Sequence, residues 1–108
     1  MDIGKKAELL YNTAAIIYKE VWETEKLTYI YDTQMLVEGE HLSEERIREH
    51  LLHEPPGDCL LVVGDEKLLR VHFHTNEPWA VMKYLSQFGT VYDITIENME
   101  KQQEEFIK

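Results

Sequence analysis

Val71-His72-Phe73-His74-Thr75-Asn76 sets two histidines two residues apart inside an apolar, β-branched and aromatic run that ends at a helix-start signal. Successive side chains of a strand point to opposite faces. His72 and His74 therefore share a face with Arg70, while Leu69, Val71 and Phe73 share the other. One face is apolar and the other titratable. His-X-His on a strand lets two imidazoles lean toward one ion, which supplies half of a four-ligand metal shell. The same spacing also describes a solvated strand face whose histidines have no special role.

Upstream, Cys59-Leu60-Leu61-Val62-Val63 is an unbroken apolar run, the pattern of a strand covered on both faces. Gly64-Asp65-Glu66-Lys67 reads as a hairpin into the histidine strand at Leu68–Thr75, which makes the two strands antiparallel neighbours. Cys59 is expected to be a small buried hydrophobe. Downstream, Thr75 or Asn76 can cap a helix whose first turn takes Pro78. Trp79, Val81, Met82, Leu85 and Phe88 are its expected buried side, and Gly89 its stop. Val91, Ile94 and Ile96 mark a further strand over residues 90–97, and Asn98 opens a short acidic helix.

Farther upstream, Thr28–Val37 is rich in β-formers and predicts another strand. It would turn Tyr29, Tyr31, Thr33, Met35 and Val37 to one side and Ile30, Asp32, Gln34 and Leu36 to the other. A carboxylate in mid-strand needs water or a ligand, which singles out Asp32. Ser43 followed by Glu44 and Glu45 is an N-cap with acids in the first turn, and the helix it starts buries Ile47 and Leu51 before Pro55-Pro56-Gly57 ends it. His50 and His53, in the last turn of this helix, suit its dipole. Residues 3–23 place Ile3, Ala7, Leu10, Ala14, Ile17 and Val21 at steps of four and three, which predicts a long amphipathic helix for packing or a dimer contact.

The expected organisation is therefore an amphipathic helix over 1–26 and an α+β module over 27–108. After the first helix the order is strand, helix, strand, strand, helix, strand. That is the ferredoxin-like split β-α-β arrangement, a four-stranded antiparallel sheet with its main helices on one face. Its first and third strands lie side by side in mid-sheet, so Asp32 can join His72 and His74.

A chain of 108 residues with 44% hydrophobic and 30% charged side chains fits one folded domain. A net charge of -10 argues against nucleic acid or an anionic membrane surface as partner, both of which need clustered Lys and Arg. No run approaches a membrane span, and no secretory signal opens the chain, so the expected location is cytoplasmic. One cysteine excludes an internal disulfide and any all-cysteine zinc site within the chain.

Gly57-Asp58-Cys59-Leu60-Leu61-Val62-Val63-Gly64-Asp65, Val71–Asn76 and Ile96-Glu97-Asn98-Met99, with Tyr29-Ile30-Tyr31-Asp32-Thr33-Gln34, resemble the middle domain of dihydroxyacetone kinase-like proteins of the bacterial fatty acid kinase A type. The resemblance covers about residues 28–100. It implies an ATP-binding domain before this module and, after it, a domain that engages an acyl-carrying partner. It also implies a role in dimerisation and kinase activity, and a metal-associated motif of one cysteine and two histidines. This chain has Asp32 where the family typically has the cysteine, Gln34 where a glutamate is frequent, and Trp79 where a glycine usually follows the proline. Aspartate also ligates zinc, and a two-histidine, one-carboxylate set suits harder metals as well.

No glycine-rich phosphate loop followed by Lys-Ser or Lys-Thr occurs in the sequence, so no phosphoryl transfer is expected of this chain alone. The leading expectation is a non-catalytic interaction and metal-binding module, dimeric, with one divalent transition metal, zinc foremost, on Asp32, His72 and His74. Tyr31, Thr33, Gln34, Thr75 and Asn76 are the surrounding ligand or interface candidates. Kinase-type or acyl-carrying proteins are the partners that the resemblance implies. Two alternatives stand beside it: a small metal-dependent enzyme using the same three residues, and a ligand-sensing regulatory domain.

Overall fold

The computed structural model describes residues 27–106, together with Ile3. Apart from Ile3, the helix expected over residues 3–23 lies outside the described residues. The described elements run β1 (Tyr31–Glu38), α1 (Glu44–Leu51), β2 (Gly57–Gly64), β3 (Leu68–Thr75), α2 (Pro78–Leu85), β4 (Thr90–Asn98) and α3 (Met99–Phe106). The four strands form one antiparallel sheet in the order β2-β3-β1-β4. β1 and β3 thus lie together in mid-sheet, as the element order predicts.

The alternation of β3 decides what each face packs against. Leu69, Val71 and Phe73 join Met35 and Val37 of β1 and Val62 of β2, and Ile47, Leu51, Val81 and Leu85 close over them from α1 and α2. Both helices therefore cover one face. Burying each such side chain is worth about 1.5–3 kcal/mol, which makes this layer the main source of stability. α1 starts as its sequence predicts, with the Ser43 side chain accepting a hydrogen bond from Arg46 N–H at 3.1 Å. The hairpin forms as well: Asp65 Oδ1 accepts from Lys67 N–H and Leu68 N–H at 2.9 and 3.1 Å.

Several expectations are corrected. β1 begins at Tyr31, three residues later than predicted, because Asn76 takes up the segment before it: Ile30 N–H donates to Asn76 Oδ1 and Asn76 Nδ2 donates to Thr28 O. Asn76 is spent on that tie, and the cap position of α2 is Glu77, without a side-chain cap bond. On α2 only Pro78, Val81 and Leu85 are buried, while Trp79 and Met82 are 64% and 43% exposed. Their helical spacing matches the core side, but the sheet receives a narrower stripe. β2 is an edge strand rather than one covered on both faces, and Val62 is its only buried residue.

α2 ends at Leu85, four residues before Gly89. Gly89 answers to a close approach instead, since a Cβ there would lie 2.1 Å from the Glu38 carbonyl oxygen. His50 stacks on Tyr84 with centroids 3.7 Å apart, and His53 Nε2 lies 3.3 Å from Glu49 Oε1, so the two histidines turn to different partners.

Candidate metal centre

The face of the sheet away from α1 and α2 carries the polar side chains. In register, Asp32 stands opposite His74 on one side and Glu97 on the other, Gln34 opposite His72, and Leu36 opposite Arg70. Opposed residues of an antiparallel pair share a face. Asp32, Gln34, Arg70, His72 and His74 are thereby gathered from two neighbouring strands with no loop needed to place them. Four of them are fully buried: Asp32 is 2% exposed, His72 0%, His74 1% and Arg70 0%.

Three of them converge on one point. His72 Nδ1 lies 3.4 Å from Asp32 Oδ1, His74 Nε2 lies 3.8 Å from the same oxygen, and the two Nε2 atoms are 3.1 Å apart. The carboxylate is held in this pose by its other oxygen. Gln34 Nε2 donates to Asp32 Oδ2 at 2.9 Å, and Arg70 donates to Gln34 Oε1, so the amide links the guanidinium to the carboxylate.

Protonation follows from burial. Desolvation raises the Asp32 carboxyl from 3.8 to about 6, with Glu97 adding to the rise and Gln34 and Arg70 opposing it. Desolvation also lowers His72 to about 3, aided by His74 and Arg70, and lowers His74, with Asp58 opposing. At neutral pH both imidazoles are neutral, so their closeness to Asp32 is not a salt bridge. Asp32 Oδ1 and His72 Nδ1 are buried without a hydrogen-bond partner, which is costly for polar atoms. Two neutral imidazoles, a carboxylate and orphaned buried donor atoms are what a divalent transition ion needs: deprotonated nitrogen and oxygen ligands, close enough to share one centre. The residues fit such an ion.

The other sequence-derived candidates fall elsewhere. Thr33 pairs with Phe73 and, with Thr75, faces the helix side; Thr75 Oγ1 donates to Pro56 O at 2.8 Å and accepts from Glu77 N–H. Tyr31 is half-buried at the end of β1 opposite Thr75 and Asn98, and Asn76 ties down the chain before β1. Gln34 alone among them touches the trio.

Sequence reasoning missed Cys59. Between Asp58 and Leu61 the β2–β3 register slips, so that Asp58 faces His74, and Cys59 sits in the resulting bulge at φ 53°. It is half-exposed, and Asp58, Cys59 and His74 form a second group of donor atoms within 4.8 Å of one another. The signal was present: counting back from the Gly64–Lys67 hairpin with no bulge sets residue 59 across from residue 74.

Comparison with known proteins agrees with the resemblance carried by these strands. A family model for the middle domain of fatty acid kinase A-like (FakA-like) proteins matches residues 28–106. An uncharacterized protein of Staphylococcus saprophyticus is 37% identical over 92 residues, covering 82% of this chain and 16% of its own length. An uncharacterized protein of Staphylococcus aureus is 36% identical over the same length and with the same coverage. The chain thus spans about a sixth of the length of these curated relatives, as their 16% coverage states. With the β1–β3 register and the Val71–Asn76 strand in place, the chain belongs to the FakA-like family of fatty acid kinase proteins, within its middle domain.

Proposed function

We propose that this is a non-catalytic interaction module whose polar sheet face is fixed by one divalent transition ion, zinc foremost, on Asp32, His72 and His74. The observation that carries the reading is the buried convergence of the three donors, with Asp32 Oδ1 and His72 Nδ1 orphaned at 3.4 Å. An ion there supplies positive charge that compensates buried lone pairs, and so ties β1 to β3. Burial supports a structural role over a catalytic one. Catalytic zinc keeps a position open to water and substrate, whereas these three residues are at most 2% exposed. The enzyme reading is therefore set below the structural one.

The relatives are several times longer than this chain. Within a kinase-type protein of that length, the module serves dimerisation and contact with kinase or acyl-carrying partners. Trp79 and Met82 on α2 supply exposed apolar surface of the kind that interface cores use. The acidic balance, -10 overall, opposes nucleic acid as partner. No helix of the described residues is long and apolar enough to cross a membrane. Phosphoryl transfer is not assigned to this chain.

The test is metal content by mass spectrometry on protein purified without chelator or affinity tag. Wild type should carry about one equivalent of a transition metal, and a His72→Ala, His74→Ala double variant should carry none. A metal-free wild type would sink the reading. Light scattering across a concentration series tests the dimer separately, and a monomer at every concentration would remove it.

A further inference from the structure

β2 and β4 are the two edges of the sheet, and they are guarded differently. An edge strand presents backbone N–H and C=O groups that can pair with another chain, and proteins blunt such edges with bulges, short strands, Pro or Lys. β2 is interrupted where its register slips between Asp58 and Leu61. β4 runs nine residues and contains no Pro, Lys or Arg. Its irregularity is at Asp93, φ 51°, where Asp93 and Ile94 together stand against Met35. Beyond that bulge Ile94–Asn98 continues as regular strand. Residues 93–97 are all exposed, and among the described residues β4 pairs on one side only, with β1.

The helix-side face of this edge is apolar. Ile96 pairs with Thr33 and so faces the helices, and Ile94, two positions away, shares that face. α1 packs on β2 and α2 on β1 and β4, while Tyr84 of α2 turns toward α1 and stacks on His50. Each helix residue advances by about 100°, so Met82 and Trp79 lie about 160° and 140° round the axis from Tyr84. They face away from α1, which in this sheet order is toward the β4 edge. α2 starts at the Asn98 end of β4, because Thr75 stands across from Tyr31 and Tyr31 from Asn98. Trp79 therefore lies toward Ile96 and Met82 toward Ile94. Of the five exposed large hydrophobics within residues 27–106, all but Leu52 border this one edge.

The opposite face of the edge is acidic. Glu97 stands across from Asp32 on the polar face, and Asp93 carries its carboxylate at the bulge. An extended occupant thus meets apolar side chains on one side and negative charge on the other, in a chain of net charge -10. We propose that the β4 edge, with Trp79 and Met82, takes up a strand of a partner protein in which apolar residues alternate with Lys or Arg. Main-chain hydrogen bonds along Ile94–Asn98 give affinity, and alternate side chains give selectivity. The partner's apolar positions pack against Ile94, Ile96, Met82 and Trp79, and its cations stand beside Glu97. A second copy of this chain fits the edge poorly. Antiparallel pairing of Ile94 with the copy's Ile96 would set Asp93 against the copy's Glu97 twice, and opposed like charges are destabilising. The inference rests on the interaction-module reading for the existence of a partner, and on no bound ion.

The experiment is an NMR titration of the isotope-labelled full chain with a blocked peptide of about ten residues in which Val and Lys alternate. Its controls are an alternating Val and Glu peptide and a Val and Lys peptide of the same composition in two blocks. With the alternating cationic peptide, amides of residues 94–98 should shift and exchange with solvent roughly tenfold more slowly. Ile96→Lys, at an exposed position, should weaken binding roughly tenfold. Glu97→Gln should weaken it about threefold and flatten its salt dependence. The inference is overturned if β4 does not respond, if either control peptide binds as well, or if Ile96→Lys binds like wild type. Light scattering in which Ile96→Lys turned a wild-type dimer into a monomer would make a second copy the occupant and overturn the cationic partner. Metal content is read separately, so metal-free protein that binds the peptide on β4 would sink the ion and leave this surface standing.

Discussion

The two faces of β3 are buried to the same degree by opposite chemistry. Phe73 and Val71 are 2% and 0% exposed, and so are their strand neighbours His72 and His74 at 0% and 1%. On the helix side, burial itself is the driving force, since apolar side chains gain about 25 cal/mol for each Å² removed from water. On the other side, burial costs free energy until every polar atom has a partner. The apolar face is stable whatever the solution contains. On the proposed reading the polar face depends on protons and on an ion, which is how one strand would combine a structural role with a conditional one.

Truncating the apolar face should give the largest effect. Phe73→Ala removes a buried ring among Met35, Val37 and the helix residues, and should cost about 3–5 kcal/mol in denaturant unfolding, equally with and without chelator. A loss that depended on chelator would break the separation of the two faces. Chelation itself comes next. An ion held at about 100 times its Kd contributes roughly 2.7 kcal/mol, so EDTA should lower the unfolding free energy of wild type by that much and leave the His72→Ala, His74→Ala variant unmoved. Gln34→Met sharpens the comparison on a finer scale. The amide orients Asp32 without joining the trio, and losing a group that orients a metal ligand costs roughly 10–100-fold in affinity, readable by competition with a chromophoric chelator.

The apolar half of this contrast was legible in the sequence, because a period of two needs no knowledge of neighbours. Leu69, Val71 and Phe73 declare one face of β3, and the order of strands and helices then puts β1 beside it. That carries Asp32 to His74 by topology alone. What the sequence hid depends on three-dimensional company. Trp79 and Met82 have the spacing of a buried stripe, yet of this helix only Pro78, Val81 and Leu85 are buried. The Cys59–Val63 run looks doubly covered until the sheet order makes β2 an edge. Gln34 could be named as a candidate beside Asp32, but its part in steering that carboxylate was hidden because it needs Arg70 from another strand. Cys59 was passed over because it opens an apolar run and so reads as a small buried hydrophobe, although the hairpin register sets it near His74.

Acid acts on the polar face alone, and there with two opposite signs. In the metal-free protein His72 is held at about 3, below its ordinary 6.5, and His74 is lowered too, so the unfolded chain takes up those protons first. Stability from the histidines is therefore present above about pH 6.5 and declines as pH falls toward 3. Asp32 runs the other way. Its carboxyl is raised from 3.8 to about 6, so the folded state binds that proton more tightly and stability is recovered as pH drops through 6 toward 3.8. Within that window one proton favours the fold and two oppose it. Asp32→Asn removes the favourable one, so the metal-free variant should lose stability more steeply than wild type between about pH 6 and 4. The difference in slope should be at most about 1.4 kcal/mol per pH unit, the worth of one proton, in urea melts run at each pH. Phe73→Ala, by contrast, should shift the whole curve down without changing its slope. If Asp32→Asn and wild type ran parallel through that window, the carboxylate would not be titrating inside the fold, and the account of the polar face as conditional on its protons would fail.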